Sequence, residues 1–293
     1  MVTVRVPATT ANLGPGFDTF GCALALYDTL TFQEQPEGLT FTGVEPAYQN
    51  PENLAVVSYQ AVMHHLGLPM PGLHLSIKTG IPICRGLGSS AALIVAGAAA
   101  ANAAHGSPLS REELLGICND IEGHPDNLAP AIFGGLVVSF VEQGRPVIAR
   151  YSLHPSIRFT ALIPDYQLST HKAREALPKQ VPFADAVFNV SHAAVLLKAL
   201  EKGDARRISL TLHDRLHQPY RRVLIPGFDE AEELSRRCGC VAFCISGAGP
   251  TLLCLSTDPA AEEALSRGVS ALPGHWECLH MAVDHEGMVV TQE

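Results

Sequence analysis

One stretch, Pro82-Ile83-Cys84-Arg85-Gly86-Leu87-Gly88-Ser89-Ser90-Ala91-Ala92, limits what this chain can fold into more than any other. Leu73-His74-Leu75-Ser76-Ile77, just before it, alternates with the period of a strand, and the Ala-rich run 91–104 after it reads as a helix. The first amides of such a helix lack intrahelical partners and lie at the positive end of its dipole, so strand, glycine-serine turn and helix together can hold an anion. Gly86 and Gly88 let the backbone approach a phosphate with no Cβ in the way, and Ser89 and Ser90 add hydroxyls for phosphate oxygens or a metal ion. The same spacing also describes a capped core helix with a glycine-rich lead-in, and spacing alone leaves both readings open. It excludes two common nucleotide loops. No Lys follows the glycines, as a Walker loop needs, and the third glycine of a dinucleotide fingerprint is missing.

With 293 residues, 47% of them hydrophobic and 17% charged, the chain can bury a large core and is expected to form two units. A formal net charge of −9 argues against nucleic acid or an anionic membrane as partner, because either wants a basic face. It leaves ATP open, since a few arginines, amides and Mg2+ placed locally suffice. The 8 cysteines show no double Cys-x2-Cys pattern. Cys238, Cys240 and Cys244 fall in a segment that reads as a strand, on one face but too far apart for a single tetrahedral ion, so reduced core thiols are expected. The start, Met-Val-Thr-Val-Arg, lacks the apolar centre of a signal peptide, and with free thiols this predicts a cytoplasmic protein. Residues 86–110 carry no charge and could span a bilayer by length, but their alanines, serines, Asn102, His105 and Pro108 fit a buried helix better.

Along the chain, residues 2–6 alternate as a strand, and 7–18, with two Gly, two Pro and an Asn, read as a shaped loop. Residues 20–33 read as a strand with 38–44 as its hairpin partner. Residues 53–66 have helical period with Leu54, Val57, Ala61 and His65 near one face, and Gly67 and Pro69 end it. Ser110 and Glu113 form a capping box for a helix running to Glu122, and 136–141 reads as a strand. The character changes near 151–155, which predicts units at 1–153 and 154–293. The second unit reads as strands at 158–163, 241–245, 251–256 and 276–283 with helices at 169–177, 183–200, 204–216, 229–237 and 259–269, an α+β arrangement.

Three glycine-rich loops, at 7–18, 86–90 and 246–250, each lie beside apolar strands. The middle one has the form Pro-x3-Gly-Leu-Gly-Ser-Ser-Ala and resembles the phosphate loop of the GHMP kinases. Together the three resemble that family's signature motifs, in order and over essentially the whole chain. The resemblance implies an α+β, two-domain GHMP kinase fold, with an N-terminal half like ribosomal protein S5 domain 2 and a ferredoxin-like C-terminal half. It also implies an ATP-dependent phosphotransferase. Asn12-Leu-Gly-Pro-Gly-Phe-Asp18, Glu122-Gly-His-Pro-Asp-Asn-Leu-Ala-Pro130, Leu168-Ser-Thr-His-Lys-Ala-Arg174 and Pro219-Tyr-Arg221 resemble the homoserine kinase branch, which implies L-homoserine as acceptor.

Carried onto this sequence, the resemblance implies that Asn53, Pro82, Arg85, Gly86, Leu87, Gly88, Ser89 and Ser90 bind ATP, and that Ser90 and Glu122 hold Mg2+. It implies that Asn12, Asp18, His124, Asp126, Arg174 and Arg221 bind the amino acid. The chemistry agrees: the carboxylate of a zwitterion wants a forked guanidinium and its ammonium wants a carboxylate. A lone arginine on a helix is more often merely solvated, and the motif context is what lifts Arg174 and Arg221 above that. For transfer, Asn12 is expected to orient the hydroxyl and Arg174 to neutralise the γ-phosphate, assisted by Thr170, with no Asp–Lys base pair evident. The motif from Ser246 to Thr251 is expected to pack on the phosphate loop. A sugar- or mevalonate-type GHMP kinase and a catalytically inactive amino-acid-binding relative are the alternatives. A homodimer is compatible with all three.

Overall fold

The computed structural model describes residues 1–292, so Glu293, the last residue of the expected second unit, lies outside the described residues. Strand β1 (Val2–Ala11) pairs antiparallel with β2 (Phe20–Gln35). The sequence reading ends β1 at residue 6, but the strand continues to Ala11 after a register shift at Pro7/Ala8, a place where proline is tolerated. Residues 8–11 are buried on both faces, so the alternation that marks a half-buried strand is absent there.

Strand β3 (Leu39–Thr42) is not the hairpin partner expected of it. It runs parallel to β4 (Gly72–Lys78), and α1 (Leu54–His65) supplies the crossover that a parallel pair requires. Helix α1 buries Ala55, Val56, Tyr59, Val62 and Met63, while Leu54, Val57 and Ala61 stay half-buried and His65 exposed, which reverses the predicted face. The helix is apolar on two sides, and packing selects the side that carries Tyr59. Helix α2 (Ser89–Ala104) is nearly all core. Helix α3 (Arg111–Glu122) begins on the predicted capping box, with Ser110 Oγ accepting from Glu113 N and Glu113 Oε2 accepting from Ser110 N. Such a cap is worth about 1 kcal/mol. Helix α4 (Leu128–Phe133) and the hairpin of β5 (Leu136–Glu142) and β6 (Arg145–Tyr151) complete this half.

A second, four-stranded sheet opens with β7 (Arg158–Pro164). Ser169 caps α5 (Thr170–Glu175), and α6 (Phe183–Lys202) follows. Helix α7 (Ala205–Thr211) is shorter than the expected 204–216. The Asp214 carboxylate accepts the amides of Leu216, His217 and Gln218 and thereby starts a new helix, α8 (Gln218–Arg221). Helix α9 (Phe228–Arg237), β8 (Ala242–Ile245), β9 (Leu252–Ser256), α10 (Pro259–Gly268) and β10 (Trp276–Met281) complete the antiparallel order β10-β7-β9-β8. Strand β8 therefore excludes Cys238 and Cys240, which are half-buried; of that trio only Cys244 is core, and all three are free thiols. A last strand, β11 (Val289–Gln292), absent from the sequence reading, returns to β1 as the seventh strand of the first sheet.

One core joins both sheets, from Leu24, Leu30 and Ile94 to Phe159, Leu196 and Leu253, and a smaller one with Phe228, Leu234 and Trp276 underlies α9 and α10. Helix α6, rather than residues 86–110, is the described helix long and apolar enough to cross a bilayer. Its outer face exposes Phe183, Val187, Val190 and Val195, and its inner face holds the loop that follows β1 through Asn189.

Candidate active site

The three glycine-rich loops meet around a cleft of about 400 Å³. At one end, α2 starts behind Gly88 with no side chain capping it, and its first closed turn is Ala92 N to Gly88 O at 2.9 Å. The uncapped amides are what an anion needs. Gly86 (φ 76°) and Gly88 (φ 74°) are left-handed, and close approach within the protein also demands them. A Cβ on Gly86 would lie 2.4 Å from Ser246 O, and one on Gly88 2.0 Å from Thr9 Oγ1. The third loop packs on the phosphate loop as expected: Ser246 Oγ donates to Gly86 O at 2.6 Å, and Thr251 N to Arg85 O at 3.2 Å.

Ser89 and Ser90 line the cleft, and Ser90 Oγ donates to Glu122 Oε2 at 2.8 Å. Arg85 also lines it, with Nη2 donating to Asp165 O at 2.7 Å across the two halves. Leu87 is core, with its carbonyl accepting from Thr9 N; Pro82 is half-buried, and neither lines the cleft. Asn53 lines it, but its side chain is engaged in capping α1 through Ala55 N and in donating to Tyr48 O.

At the other end, Asn12 is left-handed (φ 72°) and buried. Its Nδ2 donates to Gly247 O at 2.7 Å and its Oδ1 accepts from Asp18 N at 2.9 Å, which leaves one N–H for a ligand. Asp18 and Arg174, expected to take opposite ends of a zwitterion, form a bidentate ion pair with each other at 2.9 and 3.0 Å. Partial burial works against the Arg174 charge, but the Asp18 hydrogen bond and charge, with Asp126 and Glu122, raise its pKa above the ordinary value. His124 Nδ1 lies 2.9 Å from Asp126 Oδ1, and this hydrogen bond raises the His124 pKa from 6.5 despite burial. Arg221 is only 2% exposed; its Nε donates to Ala173 O and its Nη1 to Gly247 O, and burial lowers its pKa. Its Nη2 has no hydrogen-bond partner among the described residues. Thr170 lines the cleft at the first turn of α5.

Asn127, Tyr48 and Asn50 line the same cleft and were not singled out in the sequence. Asn127, whose Oδ1 accepts from Thr9 Oγ1 at 2.8 Å, lies inside the 122–130 motif and was legible there. Tyr48 ends a single 3-10 turn, Pro46–Tyr48, and Asn50 follows it, a stretch too short to carry a periodic signal.

The family models for the N-terminal and C-terminal domains of GHMP kinases match residues 53–135 and 196–273. A homoserine kinase from Clostridium beijerinckii is 38% identical over 295 residues, 100% of this chain and 99% of the relative. The chain belongs to the homoserine kinase family of GHMP kinases. A crystal structure of a family member from Cytophaga hutchinsonii superposes with TM-score 0.88 at 29% identity, covering 99% of this chain and 97% of that one. A mevalonate kinase crystal structure, at TM-score 0.74 and 14% identity, shares the fold. The two-domain GHMP kinase fold and kinase class read from the motifs therefore hold, and each of the four motifs that pointed to the homoserine kinase family contributes residues to one cleft.

Proposed function

We propose that this chain transfers the γ-phosphoryl group of ATP to the hydroxyl of L-homoserine, giving O-phospho-L-homoserine for threonine biosynthesis. The observation that carries it is one cleft with an uncapped helix N-terminus at one end and an Asp18–Arg174 pair beside a buried Arg221 at the other. The triphosphate lies against the amides of residues 86–90, with the Asn53 side toward the base. The amino acid exchanges the internal ion pair for its own charges: the ammonium takes Asp18, with His124 and Asp126 nearby, and the carboxylate takes Nη2 of Arg221. Arg174, released from Asp18, neutralises charge on the transferred group, and the remaining N–H of Asn12 orients the acceptor hydroxyl, with Thr170 alongside. Phosphoryl transfer through a loose transition state asks mainly for such positioning and charge.

Ser90 and Glu122 fit Mg2+, since a hydroxyl and a carboxylate already share one hydrogen bond and both are hard oxygen donors. Held by these two residues, Mg2+ would offset the negative charge of the phosphates. The reading also includes units at 1–153 and 154–293, a cytoplasmic site of action with neither nucleic acid nor membrane as partner, and a homodimer. The outer face of α6 supports the last.

ADP release measured with homoserine, serine, threonine, mevalonate and galactose tests the substrate. Release with homoserine is expected; release only with another alcohol overturns the acceptor, and none with any, alongside tight amino-acid binding, favours an inactive relative.

A further inference from the structure

His217 is wholly buried behind the acceptor end of the cleft and does not line it. Its Nε2 lies 3.0 Å from the Gly14 carbonyl oxygen, and its Nδ1 lies 3.4 Å from Nη1 of Arg221. A carbonyl only accepts and a guanidinium only donates. These neighbours admit a single state of the ring, with hydrogen on Nε2 and a lone pair on Nδ1. Asp214 Oδ2, 3.7 Å from Nε2, favours the same assignment. Burial agrees, holding the ring's pKa down to about 4 and keeping it neutral at ordinary pH. The imidazole also stacks on Phe17 at 5.2 Å, and the Arg221 guanidinium sits over that same Phe17 ring at 5.2 Å.

The loop that His217 grips needs holding. Asn12, Leu13, Gly14 and Asp18 all have φ between 43° and 72°, a region that costs non-glycine residues energy and persists only where the surroundings fix it. Asn189 of α6 adds a second grip, donating to Pro15 O at 3.1 Å and to Asp214 Oδ1 at 2.7 Å. Arg221, with Nε and Nη1 spent on Ala173, Gly247 and His217, keeps only Nη2 for a ligand.

We infer that His217 is a positioning residue for the acceptor: its Nε2–H tautomer ties the loop bearing Asp18 to the arginine that receives the carboxylate, and so sets the spacing between the two charges that select a zwitterion. The inference rests on the reading of this cleft as an amino-acid site. His217→Phe keeps the ring stack and removes both hydrogen bonds, whereas His217→Gln offers an N–H and an oxygen in their place. For His217→Phe the KM for homoserine is expected to rise about tenfold or more, with the KM for ATP held within about twofold, and His217→Gln is expected to recover most of the loss. Equal rises for both substrates mark a merely structural residue and overturn the inference, as does an unchanged homoserine KM in His217→Phe. Where His217→Phe does not fold, nitrogen NMR of the 15N-histidine-labelled native protein decides. A protonated Nε2 and bare Nδ1 from about pH 6 to about pH 8 is expected, and the opposite tautomer or an imidazolium overturns it. Native enzyme that releases no ADP with homoserine sinks the substrate reading instead, and the tautomer measurement still stands apart from that result.

Discussion

Arg174 and Asp18 form a bidentate ion pair with each other, so on the proposed reading an amino acid would bind by exchanging ion pairs rather than by filling an empty site. Both side chains are more than a third exposed, and water screens their pairing enough to let it open. If Arg174 then serves the transferred phosphoryl group, Arg174→Ala is expected to lower kcat by on the order of 100-fold, the usual loss for one preorganised charge donor. A change confined to the homoserine KM would make Arg174 a carboxylate ligand and nothing more. Asp18→Asn is expected to do the converse, raising the homoserine KM with the ATP KM unchanged. His124 gives a pH signature. Folding raises its pKa through the Asp126 hydrogen bond, so the stabilisation is full below its ordinary 6.5 and fades as pH rises through the higher folded value. The Tm difference between native protein and His124→Gln is therefore expected to shrink from about pH 6 to about pH 9, and a flat or growing difference would falsify the assignment. At this scale the motifs made Asp18, His124, Arg174 and Arg221 legible as residue types, but not their partners. No pattern in a sequence says that a carboxylate at 18 and a guanidinium at 174 neutralise each other, because that depends on how two distant loops converge.

Elements with strong local chemistry were legible, and those set by partners were not. The capping box at Ser110, the cap at Ser169 and the alternation around β4 each carry their own signal. By contrast, β3 alternates as any edge strand does, and its parallel pairing comes from α1 crossing back over the sheet. The glycine turn leading into α2 was legible, but its glycines carry a second constraint. Its glycines were assigned to the ligand, yet Gly86 is also pinned by the carbonyls of Ser246 and Gly249. Gly86→Ala is thus expected to raise the ATP KM and, through both its left-handed φ and those carbonyls, to lower Tm as well. For α6, the exposed stripe predicts a sedimenting dimer that Val190→Glu converts to monomer without changing kcat. A native protein that runs as a monomer at about ten micromolar sets that face aside.

The whole molecule is two sheets that share one core, and the active cleft exists only where their loops interleave. Several of the crossing contacts are buried. Ser246, fully buried at the start of the third loop, donates to Gly86 O at 2.6 Å and lies 2.9 Å from Thr10 Oγ1. Asn12 reaches the other way, to Gly247 O, and Gly247 N reaches Ala11 O. One hydroxyl therefore ties the β8–β9 hairpin of the second half to both the first strand and the phosphate loop of the first. The final strand reinforces the link, since β11 carries the chain end back beside β1 and makes the first sheet depend on residues from both ends of the sequence. Ser246→Ala removes the hydroxyl and leaves the part-buried Gly86 O without that donor, and losing such a hydrogen bond costs about 1 kcal/mol. Because that carbonyl belongs to the loop proposed to cradle phosphate, the loss is expected in two places: a lower urea midpoint with unchanged m-value, and an ATP KM raised several-fold while the homoserine KM holds. Ser246→Thr keeps the hydroxyl and separates lost hydrogen bond from lost volume. If Ser246→Ala lowered the urea midpoint and left the ATP KM as in the native protein, the hairpin would be joining the halves without shaping the phosphate site.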